Sequence, residues 1–262
     1  MRRHKGFSLI ELLVVTGIVS LMLTLLLPVM GKARAAAQSA ACLSNLRQMG
    51  IGLTIYISEN KGRLPDYMWV TPSTPDVAWN GYWLGILSNH NCNPNALLCP
   101  TASVEVPFNQ NKGKGTVRYA WTGKYQSNAS VVRLNAANFR SSSYGFNRRL
   151  TAGGGYGRDG KATRLTAVEK LCETPAFFDS AWVDAGPPNG TPTEPAEAPP
   201  NFNGGALVAG APEHWNFLLS RHGRAINIGM VDGSARTVRL EDTYTLMWSG
   251  NWTKYRLPLP VF

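Results

Sequence analysis

Charge is sparse in this chain of 262 residues: 16% of positions are Asp, Glu, Lys or Arg, and acids are the scarcer sign, 16 against 26 cations. Few charges together with 10% aromatics exclude disorder as the main state, because such a chain has enough apolar surface to bury. Long apolar runs are also lacking, with a single exception near the N-terminus, and a mean hydropathy of −0.15 then excludes a polytopic membrane protein. There is no internal repeat. Histidine and cysteine occur four times each, no serine sits in a G-x-S-x-G turn, and no acidic stretch has EF-hand-like spacing. Those shortages leave no nucleophile triad and point away from an enzyme. What remains is a folded, basic chain of formal charge +10, long enough for one or two domains with a buried core.

The exception is Phe7–Met30, in which seventeen of 24 residues are large and apolar and only Glu11 is charged. As a helix it is long enough to cross a hydrocarbon core of about 30 Å. Arg2, Arg3 and Lys5 precede it and would hold that end in the cytoplasm. A secretory signal peptide is the plain alternative, with small-residue sites such as Ala33-Arg34-Ala35 after the run. An apolar region of 24 residues exceeds the usual 7–15, however, and signal peptides do not normally carry a carboxylate there. An ordinary membrane anchor is the other plain reading.

Lys5-Gly6-Phe7-Ser8-Leu9-Ile10-Glu11-Leu12-Leu13-Val14-Val15 resembles the cleavage and methylation signal of type IV pilins and type II secretion pseudopilins. The resemblance implies cutting after Gly6 by a prepilin peptidase, methylation of the new amine at Phe7, and assembly with other pilin-like subunits through Phe7, Glu11 and the helix-bending Pro28. It implies no cofactor and no catalytic residue. It places the chain in the bacterial inner membrane, single-pass, N-terminus cytoplasmic and globular part periplasmic, entering an extracellular or periplasmic filament. Residue chemistry agrees: a carboxylate costs about 2.5–3.5 kcal/mol at mid-bilayer and less near the end, so Glu11 needs a partner or must snorkel. Pro28 cannot donate to the carbonyl of Thr24, which predicts a kink.

Helical periodicity continues through 31–58, where Cys42, Leu46, Met49, Leu53 and Ile57 recur at spacings of 4, 3, 4 and 4 and form one apolar stripe. Gly62 and Pro65 end it. From residue 59 onward short β-like runs appear, clearest at Thr116–Trp121, Ala176–Val183, Ala225–Val231 and Arg236–Leu240, with Asp232-Gly233 a hairpin signal between the last two. Residues 184–212 hold seven Pro and five Gly and read as a long irregular loop. The expected fold is α+β and pilin-like: leader 1–6, apolar helix 7–30, its amphipathic continuation 31–58, and a C-terminal antiparallel β-sheet domain over 59–262.

Arg221-His222, nine residues, then Asp232-Gly233 resembles the H-x9-DG element at the C-terminus of many bacterial prepilin-like proteins, as do Cys42-Leu43-Ser44-Asn45-Leu46-Arg47-Gln48 and Leu98-Cys99-Pro100. That group usually has His after Asp-Gly, where this chain has Ser234. His222 and Asp232 would sit at opposite ends of a strand, roughly 33 Å apart, so structural roles are expected for both and for Gly233. The four cysteines allow three pairings; the resemblance favours Cys42 with Cys99, leaving Cys92 with Cys172. Zinc on His90, Cys92 and Cys99 lacks a standard spacing. Calcium on Asp179, Asp184, Glu194 and Glu197 is weaker than a reading of solvated loop acids. Gly155–Gly160 matches G-x-G-x-x-G but follows no clear strand and opens no amphipathic helix.

Between Lys112 and Arg164 lie eleven cations and one acid, Asp159, interleaved with Tyr119, Trp121, Tyr125, Phe139, Tyr144, Phe146 and Tyr156. Lys112, Lys114, Arg118, Lys124, Arg148 and Arg149 could bind DNA or an anionic polysaccharide. The bland alternative is a solvated face over core aromatics. The rest of the chain balances at 15 cations and 15 acids, so the +10 is local. The leading expectation is a structural subunit of a type IV pilus-like or type II secretion pseudopilus filament. The alternatives are a minor pilin that binds anions through 112–164, and a membrane-tethered surface protein that never polymerises.

Overall fold

The structure is a computed structural model that describes residues 8–65, 83–90, 92–102, 104–105, 115–121, 126–127, 130–131, 141–150, 163–186, 199, 202–204, 213–250 and 252–259. Helix α1 spans Leu9–Glu59, 51 residues or about 77 Å, and runs through Pro28 without interruption of its assignment. Its start is fixed by the returning half of a capping box: the Ser8 backbone N–H donates to Glu11 Oε2 at 2.9 Å. Its end is a left-handed cap, with Lys61 and Gly62 at φ of 55° and 78° and the Gly62 N–H closing onto the Ile57 carbonyl at 2.9 Å.

The chain divides into two units, Met1–Gln38 and Ser39–Phe262. In the first, residues 8–37 are all exposed, and an 18-residue window reaches a mean hydropathy of 2.5 with none of it buried. Length and composition therefore suit a membrane span. In the second, Cys42, Leu46, Met49, Leu53 and Ile57 are all buried, as their spacing predicts.

Among the described residues the second unit carries helix α2 (Trp83–Asn89) and nine short strands. Val104–Glu105 (β1) pairs with Tyr119–Ala120 (β2), and Gln126–Ser127 (β3) with Ser130–Val131 (β4). The main sheet comprises Tyr144–Asn147 (β5), Pro175–Asp179 (β6), Asp184–Ala185 (β7), Ala225–Met230 (β8) and Ala235–Arg239 (β9), in the order β7-β5-β6-β8-β9. Strands β5, β6 and β8 are buried at every position, because the sheet is covered on both faces. Adjacent residues therefore enter different cores: Phe177 packs with the α1 stripe, Trp83 and Phe146, and Phe178 with Phe217, Ile228 and Trp248. Along β8, Ile226, Ile228 and Met230 take the second core. Gly229 lies against Leu46, where an added Cβ would stand 3.4 Å from the Leu46 Cβ, so glycine lets α1 approach the sheet closely.

The α+β layout is as expected, with three differences. The sheet is mixed: β7 runs parallel to β5, pairing Phe146 with Asp184 at the start of the stretch read as an irregular loop. Strand β5 had no sequence signal, because Tyr-Gly-Phe-Asn shows neither alternation nor β-branched residues. The run Thr116–Trp121 forms only the two-residue β2 and isolated bridges from Thr116 to Gly204 and from Trp121 to Ser142. The β8–β9 hairpin closes through Val231–Ser234, with Gly233 at φ 84° and Asp232 Oδ1 accepting from the Ser234 N–H at 2.9 Å.

Candidate functional site

Three stretches singled out in the sequence converge in the second unit. Cys42 projects from the buried stripe of α1. Cys99 follows the 3-10 turn Pro94–Leu97, whose start is capped by Asn93 Oδ1 accepting from the Asn95 N–H at 2.9 Å. That loop is tied down from two sides: Asn45 Nδ2 donates to the Leu98 carbonyl at 2.9 Å, and the Ser142 hydroxyl donates to the Leu97 carbonyl at 2.7 Å. The Cys99 N–H donates to the Ser143 hydroxyl. His222 sits in the turn before β8, its N–H bonded to the Ala225 carbonyl at 3.1 Å and followed by Gly223 at φ 70°. Asp179 closes β6, opposite Tyr144 of β5.

The ligand-type atoms of Cys42, Cys99, Asp179 and His222 all lie within 4.8 Å of one another. His222 Nε2 is 3.4 Å from Cys99 Sγ and 3.3 Å from Asp179 Oδ2; Cys42 Sγ is 3.7 Å from Asp179 Oδ1. Around them, Arg221 Nη1 donates to Asp179 Oδ1 at 3.0 Å, the Asn227 N–H to Oδ2 at 2.8 Å, and the Tyr144 hydroxyl to Cys42 Sγ at 3.2 Å. The Arg221 and Asp179 side chains have no solvent exposure, and Arg221 also donates to the carbonyls of Ser143, Thr116 and Ser180.

Burial and the nearby Cys99 and Asp179 push the Cys42 thiol well above its ordinary range. The hydrogen bond from Cys42 draws Cys99 down to about 5 against its own burial, with His222 and Arg221 assisting. Burial disfavours the His222 imidazolium, but hydrogen bonds and charge from Asp179 and Cys99 prevail and raise it to about 9. Burial likewise opposes the Asp179 carboxylate, and Arg221, His222 and the Asn227 N–H together hold it below its usual value. Near neutrality, free of any ligand, the group is a Cys99 thiolate, a His222 imidazolium, an Asp179 carboxylate and an Arg221 guanidinium, with one proton kept on Cys42.

Several expectations are corrected by this geometry. The four cysteines stand as free thiols in this structure: Cys42 and Cys99, expected to pair, face a centre shared with Asp179 and His222, and of the other expected pair Cys92 is buried where Cys172 is exposed. Asp179 is no loop acid for calcium but a buried anion paired with Arg221; Glu194 and Glu197 lie outside the described residues. His90 bonds to Glu59 and to the Ile86 carbonyl, away from any set with Cys92. His222 and Asp232 do flank β8, but His222 meets partners from α1, β6 and the Cys99 loop, a meeting that its spacing from Asp232 could not reveal. Gly233 instead receives α1: a Cβ on Gly50 would stand 2.9 Å from the Gly233 Cα.

Of the basic residues, Arg118 is exposed and Arg148 half-buried. Arg149, expected on an anion-binding face, is 5% exposed and belongs to the interior. Trp121, Tyr144 and Phe146 are core residues, and Lys112, Lys114 and Lys124 lie outside the described residues. Gly6 and Phe7 also lie outside them.

At the other end of the chain, residues 1–27 match the family model described as the prokaryotic N-terminal methylation motif. That match, continuous with the bare apolar half of α1, supports a prepilin-like protein. No curated protein and no solved structure matches the chain.

Proposed function

We propose that this chain is a structural subunit of a type IV pilus-like or type II secretion pseudopilus filament. It is inserted with its N-terminus in the cytoplasm, cleaved after Gly6 by a prepilin peptidase and N-methylated at Phe7. The carrying observation is the methylation motif over residues 1–27 running directly into an apolar helix that is exposed among the described residues. Residues 9–30 alone cover about 33 Å as a helix, enough for a bilayer core. The mature chain then joins other pilin-like subunits through Phe7, Glu11 and the region of Pro28, while the second unit stays outside the inner membrane. Its work is mechanical and architectural rather than catalytic.

Mass spectrometry of the purified mature N-terminus tests this reading. An N-methylated Phe7 is expected, together with accumulation of the unprocessed chain in a Gly6→Val variant. An intact Met1, or a cut after Ala35, refutes it.

A further inference from the structure

We propose that Cys42, Cys99, Asp179 and His222 form a closed, structural zinc site that pins the second half of α1 to the β-sheet domain. The inference goes beyond the filament reading and does not depend on it.

Geometry carries the argument. A tetrahedral zinc with bonds of about 2.3 Å to sulfur and 2.0–2.2 Å to nitrogen and oxygen has ligand-to-ligand edges of about 3.3–3.8 Å. With Asp179 Oδ2 as the ligand atom, three of the six edges are 3.3 Å (to His222 Nε2), 3.4 Å (Cys99 Sγ to His222 Nε2) and 4.0 Å (to Cys42 Sγ). As a hydrogen bond the His222–Asp179 contact is slack, since a charged N–H···O bond prefers about 2.7–2.9 Å, whereas the two sulfur contacts have lengths that suit a hydrogen bond or an edge. As edges of one tetrahedron, the first two fall inside the expected range and the third lies just beyond it.

The surroundings fit as well. Each carboxylate oxygen of Asp179 is oriented by its own donor, Arg221 or the Asn227 N–H, and the Tyr144 hydroxyl points its donor at the Cys42 sulfur. Outer partners of this kind fix ligand direction and raise affinity. Two thiolates and one carboxylate bring three negative charges, which a divalent ion and the Arg221 guanidinium neutralise within the buried site. Two sulfur ligands favour zinc over the oxygen-seeking calcium and magnesium. Because all four positions come from protein and are largely sealed from water, the site has no opening for a substrate and is structural. The ligands come from α1, the Cys99 loop, the end of β6 and the turn before β8, so one ion closes three long loops of chain.

The test is metal analysis of the full-length protein, extracted from membranes in detergent without chelator, combined with thiol counting under denaturing conditions. About one zinc per chain and four reactive thiols are expected. Replacement of zinc by Co2+ should give the intense visible bands of a tetrahedral ion and a thiolate-to-cobalt charge-transfer band in the near ultraviolet. Cys99→Ser and His222→Ala should each lower zinc content at least tenfold, with Cys172→Ser as the unaffected control. The wild-type metal content and cobalt spectrum decide the matter even if a ligand variant does not fold. A chain lacking two reactive thiols, with Cys42 and Cys99 joined in one peptide, overturns the proposal in favour of a disulfide. Four free thiols with neither zinc nor any cobalt spectrum overturn it as well.

Discussion

The Arg221–Asp179 pair gives the sharpest quantitative expectation. Both side chains are fully buried, their ions are 3.0 Å apart, and the Arg221 Nη groups also donate to the carbonyls of Ser143, Thr116 and Ser180, while its Nε has no hydrogen-bond partner among the described residues. Asp179→Asn preserves shape and removes the charge, leaving a guanidinium inside the core without its counter-ion. Breaking one side of such a pair costs about 3–5 kcal/mol, a large share of the 5–15 kcal/mol that ordinarily holds a domain together. At a urea dependence of about 2 kcal/mol per M, the unfolding midpoint should fall by roughly 2 M. Tryptophan fluorescence of the full-length protein in detergent reads it, since Trp83, Trp121 and Trp248 are buried in the unit that unfolds. Running every sample with chelator separates the ion pair from metal binding. Asp179→Asn/Arg221→Met removes both charges and should recover at least about half of the loss, because replacing a buried pair outright is far cheaper than orphaning one member. A midpoint shift below about 0.5 M for Asp179→Asn, or a double variant less stable than the single, would refute the reasoning.

Two further outcomes follow from the same region. Gly50→Ala should destabilise by about 1 kcal/mol, because the helix-propensity gain of roughly 0.5–1 kcal/mol is outweighed by a methyl driven against the Gly233 backbone 2.9 Å away. Gly233→Ala should cost a similar amount for a different reason, its φ of 84°, since open space surrounds its Cβ position; equal or raised melting temperatures would contradict both. The chelated protein should also show a flat-topped pH–stability curve. Cys99, depressed to about 5, contributes stability that is present above the unfolded thiol value near 8.5 and is lost as pH falls through 5. His222, raised to about 9, contributes stability that is full below 6.5 and is lost as pH rises through 9. Their slopes cancel between about 6.5 and 8.5, and Asp179, held low, adds a further loss at more acid pH. A steep slope inside that interval in denaturant titrations would count against the charge assignment.

The parts of this molecule that obey a short period were readable from the chain. The stripe from Cys42 to Ile57 is one face of a helix, and the β8–β9 hairpin is announced by Asp232-Gly233 between two β-like runs. The methylation signal was readable for the same reason, being a contiguous string. Strand β5 was not, because a strand buried on both faces needs no alternation and here includes Gly145, whose Cβ position is taken by Ser180 and the Trp182 carbonyl. The four-residue cluster was less legible still. Cys42 and Cys99 carried a resemblance and His222 a motif, but Asp179 carried only the weaker calcium reading, standing at the end of an apolar strand as any turn-proximal acid would. Its role comes from the registration of β6 beside β5 and β8, a property of pairing over scores of residues that no local window contains. His222 likewise takes its partners from the Cys99 loop and β6, neither of which its spacing from Asp232 contains.

The exposed stretch of α1 has a consequence for how reversible its surroundings are. Water is excluded as a companion for residues 8–37 over their apolar length, but lipid tails and the side chains of another copy are nearly the same solvent to a leucine, so hydrophobicity gives the helix no preference between them. Only groups that distinguish hydrocarbon from protein can. The hydroxyls of Thr16 and Thr24 are already bonded to the carbonyls of Leu13 and Ser20 and so add little to that choice. What is left in the apolar run is a single carboxylate, at Glu11, with Lys32 and Arg34 just beyond the run and two glycine-sized gaps, at Gly17 and Gly31, with nothing within 4 Å of where a methyl would be. In the proposed assembly, exchange of this helix between lipid and a neighbouring copy would then turn chiefly on the Glu11 charge.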